Sequence, residues 1–137
     1  MPRTLLVIDD DRDIRLVAKT SLELVGGFRV IVADSGHRGL AFANQARPDA
    51  ILLDLMMPDL DGRATLDKLK QMPETASIPV ILLTAKVQAN RLELMGQGAA
   101  GVLVKPFDPI QLPNQVCEIL GWRTSENDEE QSDKAPE

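Results

Sequence analysis

Five short stretches of the chain are continuously apolar: Leu5–Ile8, Val30–Ala33, Ala50–Leu53, Val80–Leu83 and Val102–Val104. None alternates polar with apolar positions. Continuous runs of this length suit strands covered on both faces, as in a parallel sheet between helices. The segments between the runs are long enough for crossover helices. The clearest spans Arg12–Leu24, with Ile14, Val17, Ala18, Ser21, Leu22 and Val25 at helical spacing and Gly26-Gly27 as its stop. The last helix is expected to take Asp108 as N-cap and Pro109 as first residue, to bury Leu112, Val116, Ile119 and Leu120, and to end at Gly121. Pro113 is awkward inside it because it lacks a backbone donor, which leaves open a start at Pro113 after a looser turn. Five β units, each followed by a helix, are the arithmetic of a doubly wound α/β domain. Such domains bind ligands at the carboxyl ends of their strands, near the topological switch point.

Composition narrows this picture. The length of 137 residues fits one domain able to bury most of its apolar surface, and 44% apolar with 26% charged residues is ordinary for a globular protein. The aromatic residues are Phe28, Phe42, Phe107 and Trp122, so the core has to be aliphatic. Fifteen Lys and Arg stand against 21 Asp and Glu, a formal charge of −6, which argues against DNA and anionic lipid as partners. Six of the acids and two of the bases lie in Arg123–Glu137, net −4, leaving −2 for the first 122 residues. That segment has Ala135 as its one apolar residue and cannot offset its ordering entropy. The expected organisation is therefore a domain at 1–122 and a disordered acidic tail at 123–137. Cys117 is the only cysteine, so no intramolecular disulfide forms. The run Leu5–Ile8 is too short for a signal peptide, and no stretch approaches the ~20 apolar residues of a membrane helix, so the expectation is a cytoplasmic protein with no membrane partner.

The chemistry sits just past the apolar runs. Asp9, Asp10 and Asp11 follow the first, Asp54 the third, Thr84 the fourth, and Lys105-Pro106 the fifth. Each has a bland explanation: Asp11 as a helix cap, Asp54 as a turn former, Thr84 as another cap, Lys105 as a surface cation. Together they face one crevice. Crowded carboxylates are costly unless a cation binds them, and carboxylate and carbonyl oxygens select a hard divalent ion such as Mg²⁺. An ammonium and a hydroxyl at the rim suit a phosphoryl group, which gives Asp54 the surroundings of a phosphate-accepting nucleophile.

With these residues in place, the sequence resembles a response regulator receiver domain of two-component signalling. The matching pieces are VIDDD (Val7–Asp11), ILLDLMMPDLDG (Ile51–Gly62), ILLTAK (Ile81–Lys86) and VLVKPF (Val102–Phe107), and the resemblance covers about residues 4–121. It implies a flavodoxin-like five-stranded parallel sheet of order 2-1-3-4-5 flanked by five helices. It implies Asp54 as phosphoacceptor from a phosphohistidine on a sensor histidine kinase or histidine phosphotransfer protein. Asp10 would hold Mg²⁺ (Mn²⁺ as an alternative) directly and Asp9 through water, with a carboxylate oxygen of Asp54 and the backbone carbonyl of Met56 as further ligands. Lys105, Thr84 and the backbone N–H of Ala85 would contact phosphoryl oxygens. Pro58 and Gly62 would shape the loop after Asp54, Gly62 through a conformation other residues resist. The Lys105–Pro106 bond is expected to be cis. Thr84, Val102 and Pro106 stand at the family's switch positions. Val102 is a departure, because the family usually places an aromatic ring there and valine cannot make that swing. Met56 and Lys86 occupy rim positions that tune dephosphorylation.

His37 is expected to be solvent-exposed, and Cys117 to pack in the last helix. Trp122 lies far in sequence from Asp54, a poor place from which to report events there. With only the acidic tail after Trp122, the expected output is contact with a downstream protein, as in a stand-alone, chemotaxis-regulator-like receiver. Two alternatives remain. A small Asp-nucleophile phosphohydrolase needs a second Asp two residues after the nucleophile, where this chain has Met56. An unphosphorylated pseudo-receiver is at odds with the complete acid, Thr and Lys set.

Overall fold

The computed structural model describes residues 2–85 and 91–123; the tail from 124 onward and Lys86 lie outside them. Five strands, β1 (Thr4–Ile8), β2 (Arg29–Ala33), β3 (Ala50–Asp54), β4 (Val80–Thr84) and β5 (Gly101–Val104), match the five apolar runs to within a residue at either end. All neighbours are parallel, in the order β2-β1-β3-β4-β5. The connecting helices are α1 (Arg12–Thr20), α2 (Gly36–Ala46), α3 (Gly62–Gln71), α4 (Arg91–Gly96) and α5 (Leu112–Leu120).

Strand alternation sends the apolar side chains into two separate cores. Leu5, Val7, Leu52, Ile81, Leu83 and Leu103 meet Ala18 and Leu22 from the α1 side and Leu112 and Val116 of α5. Leu6, Ile8, Ile51, Leu53, Val80 and Leu82 face the other way, onto Ala43 of α2 and Leu66 and Leu69 of α3. The central strands β3 and β4 are buried along their whole length, which is why their sequences show no alternation. Cys117 is buried, as expected of a packing residue. No helix among the described residues is long and apolar enough to cross a membrane.

Two helix expectations need correction. The first helix is α-helical only to Thr20 and continues as one π-helical turn over Ser21–Val25. Val17 and Val25, both at helical spacing in the sequence, are 37% and 47% exposed; Val25 lies within the wider turn, which breaks the 3.6-residue spacing there. Ser21 and Leu22, of the same set, are buried, and the Ser21 hydroxyl donates to the carbonyl of Pro109. In the last helix Asp108 is not the N-cap and Pro109 is not its first residue. The Asp108 carboxylate takes the N–H of Ile110 at 2.8 Å and closes a separate turn. The regular helix begins at Leu112, with Pro113 in its first turn, where a missing donor costs nothing.

Candidate functional site

Parallel pairing brings the carboxyl ends of β1, β3, β4 and β5 together. Asp9 directly follows β1, Asp54 ends β3, Thr84 ends β4, and Lys105 directly follows β5. The register sets Asp54 beside Leu83 and Thr84 beside Val104. Asp11, as expected, caps α1 by accepting the N–H groups of Asp13 and Ile14.

Asp9 and Asp54 are buried and Asp10 is exposed, and one carboxylate oxygen from each lies within 4.8 Å of the others. Asp9 Oδ1 accepts the N–H of Asp11 at 2.9 Å, and Asp54 Oδ1 accepts the N–H of Met56 at 3.2 Å. Lys105 Nζ sits between the two buried acids, 2.8 Å from Asp9 Oδ2 and 3.2 Å from Asp54 Oδ1. Burial, and then the charge of Asp9, push the Asp54 carboxyl up to about 6, against the Met56 N–H and Lys105, which favour the ionised form. Burial by itself would lower the Lys105 ammonium, but its bond to Asp9 and the charges of Asp9 and Asp54 carry it upward. The donor set fits a hard divalent cation: three carboxylates offering one oxygen each within 4.8 Å of one another, two of them buried.

The remaining expected residues fall around this cluster. Thr84 is buried, and its carbonyl accepts the N–H of Lys105 at 2.7 Å, tying the ends of β4 and β5 together. Ala85 follows it and is exposed, as is the Met56 side chain at 76%. The Lys105–Pro106 bond is cis, as expected. Val102 is half-buried and packs against the core on the α2–α3 side. Gly62 needs a different explanation from the one expected, for its φ is not positive. A Cβ there would lie 2.4 Å from the Asp54 carbonyl oxygen and 2.6 Å from Leu55 Cα, so glycine is required by close approach.

Sequence reasoning missed Asp59. From the loop after Asp54, its carboxylate reaches the start of α2 and bonds the N–H groups of Gly36 and His37 at 3.2 Å and the His37 ring Nδ1 at 2.8 Å. His37 is exposed as expected, yet it has a partner. The contact joins positions 22 and 23 residues apart, which no local spacing signals.

Comparison with known proteins agrees with this geometry. The family model for the response regulator receiver domain matches residues 5–117. The DNA-binding dual master transcriptional regulator RpaA of Synechocystis sp. is 40% identical over 121 residues, covering 88% of this chain and 49% of that protein. The chain thus spans about half the length of the curated regulators it resembles. The chemotaxis response regulator CheY4 of Vibrio cholerae superposes with a TM-score of 0.81 at 29% identity, over 87% of this chain and 99% of that one. The receiver domain of the sensor histidine kinase PA1611 from Pseudomonas aeruginosa PAO1, solved with a magnesium ion coordinated in its active-site cleft, gives 0.78 at 26% identity over 88% and 99%. RpaA corrects the argument that net charge disfavours a DNA partner: a relative this similar is a DNA-binding protein, and the charge of a receiver segment does not report what the rest of such a protein contacts. By its fold, its strand-end acids and its sequence, the chain belongs to the response regulator receiver domain family, the signalling modules that work between histidine kinases and downstream effectors.

Proposed function

We propose that Asp54 is the phosphoacceptor. A carboxylate oxygen attacks the phosphorus of a phosphohistidine on a sensor histidine kinase or phosphotransfer protein; the P–N bond breaks and the imidazole leaves with its electron pair and takes up a proton. The product is an acyl phosphate on Asp54. The observation that carries this reading is the buried Asp54 carboxylate, 3.2 Å from Lys105 Nζ and beside Asp9 and Asp10.

Asp9, Asp10 and Asp54, with the main-chain carbonyl of Met56, would hold Mg²⁺, or Mn²⁺ in its place; when bound, the ion neutralises phosphoryl oxygens as charge builds on them. Lys105 moves its ammonium from Asp9 and Asp54 to a phosphoryl oxygen. The Thr84 hydroxyl and the Ala85 N–H donate to the others. Thr84, Val102 and Pro106 lie where phosphorylation is read out. With Val102 in place of a ring, the signal rests on Thr84 and the β4–β5 ends rather than on an aromatic swing. Met56 and Lys86, the second residues after Asp54 and Thr84 in the sequence, tune the rate of a slow autodephosphorylation.

The working unit is the receiver at 1–122, acting in the cytoplasm through contact with a downstream protein. A phosphohydrolase reading is weaker, because Met56 stands where a second acid is needed. Incubation with Mg²⁺ and acetyl phosphate should add one acid-stable, base-labile phosphoryl mass to wild type and none to Asp54→Asn. An undiminished gain in Asp54→Asn would overturn the assignment.

A further inference from the structure

We infer that Asp59, with His37 as its support, is a positioning residue: it clamps the loop that follows Asp54 to the start of α2 and so holds Met56 in place. The inference rests on the reading of Asp54, Met56 and the acids as the phosphoryl and metal site.

The loop from Leu55 to Asp61 is closed at its base by the N–H of Gly62 donating to the Leu55 carbonyl at 2.9 Å. Asp61 is engaged in capping α3 through the N–H of Ala64. Between these ends, Met57 is buried in the core while Met56 and Pro58 are exposed. Met56 is the residue whose N–H holds Asp54 Oδ1, so its backbone position sets that of the carboxylate. The far side of the loop is fixed by Asp59.

α2 needs Asp59 as much as the loop does. The first N–H groups of a helix have no partner within it. At α2, Ser35 Oγ takes the N–H of Arg38, and Asp59 takes those of Gly36 and His37. The junction has no slack, since a Cβ on Gly36 would lie 2.8 Å from the Leu60 carbonyl oxygen and 2.7 Å from Thr65 Oγ1. Burial would raise the Asp59 carboxyl, but the backbone and ring of His37, then the N–H groups of Gly36 and Leu60, bring it down to about 2, so it stays ionised in this role.

The test compares Asp59→Ala, Asp59→Asn and His37→Ala with wild type. Two quantities are measured on the whole chain: amide exchange at Leu55–Leu60 without metal, and Mg²⁺ affinity by calorimetry. Asp59→Ala should speed loop exchange and weaken Mg²⁺ about tenfold, as removal of an outer-shell partner does, with exchange in β3 unchanged. Asp59→Asn keeps one accepting oxygen where the carboxylate uses Oδ1 for the Gly36 N–H and Oδ2 for the His37 N–H, so it should recover part of the loss and fall between Asp59→Ala and wild type. His37→Ala, which removes only the ring contact, should cost about threefold. Loop exchange and Mg²⁺ affinity both within about twofold of wild type in Asp59→Ala, less than one lost hydrogen bond produces, would overturn the inference. Should Asp59→Ala not fold, His37→Ala decides: faster loop exchange supports the clamp and unchanged exchange refutes it. Failure of wild type to bind Mg²⁺ would count against the metal site, while loop exchange still judges the clamp.

Discussion

At the amino end of the sheet, the Arg3 guanidinium lies 4.1 Å from the centre of the Trp122 ring, and Trp122 packs against Phe28 with ring centres 6.0 Å apart. At the carboxyl end, two carboxylates are buried side by side with Lys105 between them. Both ends close the same five strands. One does so with contacts that are favourable as they stand, the other with like charges whose repulsion is only partly compensated. A phosphoryl site needs the second kind: buried acids with a single ammonium between them gain by accepting a further cation.

The largest test of this contrast is Lys105→Ala. Removing the ammonium leaves Asp9 and Asp54 buried without their counter-charge and should destabilise the metal-free protein by about 3 kcal/mol at neutral pH in urea unfolding. Added Mg²⁺ should restore more stability to this variant than to wild type. Asp54→Asn should act in the opposite direction. The Asp54 carboxyl is raised from 3.8 to about 6, so holding it ionised in the fold opposes stability by roughly 3 kcal/mol. The variant should unfold at higher urea than wild type at pH 7 and lose most of its response to Mg²⁺.

Acidity gives a smaller effect. A carboxyl raised in the fold is fully protonated in both states well below pH 4. Between about 4 and 6 the folded protein holds the extra proton, so the Asp54 contribution to stability falls as pH rises through that window. Mg²⁺ affinity runs the other way, because the ion displaces that proton, and should drop as pH falls below about 6 in a calorimetric titration. The smallest effect belongs to the amino end. Arg3→Ala should cost about 0.5–1 kcal/mol and leave Mg²⁺ affinity and acetyl phosphate labelling unchanged. A change at the site on this substitution would mean that the two ends are not independent.

The sheet was legible because a strand buried on both faces writes itself as a continuous apolar run, and the site was legible because four strand ends carry its residues. What escaped depends on contacts across the fold. The π turn at Ser21–Val25 opens with a Ser21 bond to Pro109, 88 residues away, and Val17 and Val25 sit at good helical spacing without being buried. Asp108 has the residue type of a cap but spends its carboxylate on a turn of its own. Gly62 looked like a turn glycine and is instead a spacer against the Asp54 carbonyl. Asp59, inside a quoted motif, had no reason to be singled out until α2 was placed beside it.

The strand order also bears on how the domain is made. β1 leaves the ribosome first but lies between β2 and β3, so Asp9 and Asp54 come together once residue 54 has emerged, some fifty residues before Lys105. The counter-charge of both acids thus comes from the strand at the far edge of the sheet, and the site is electrostatically complete only when all five strands are in place.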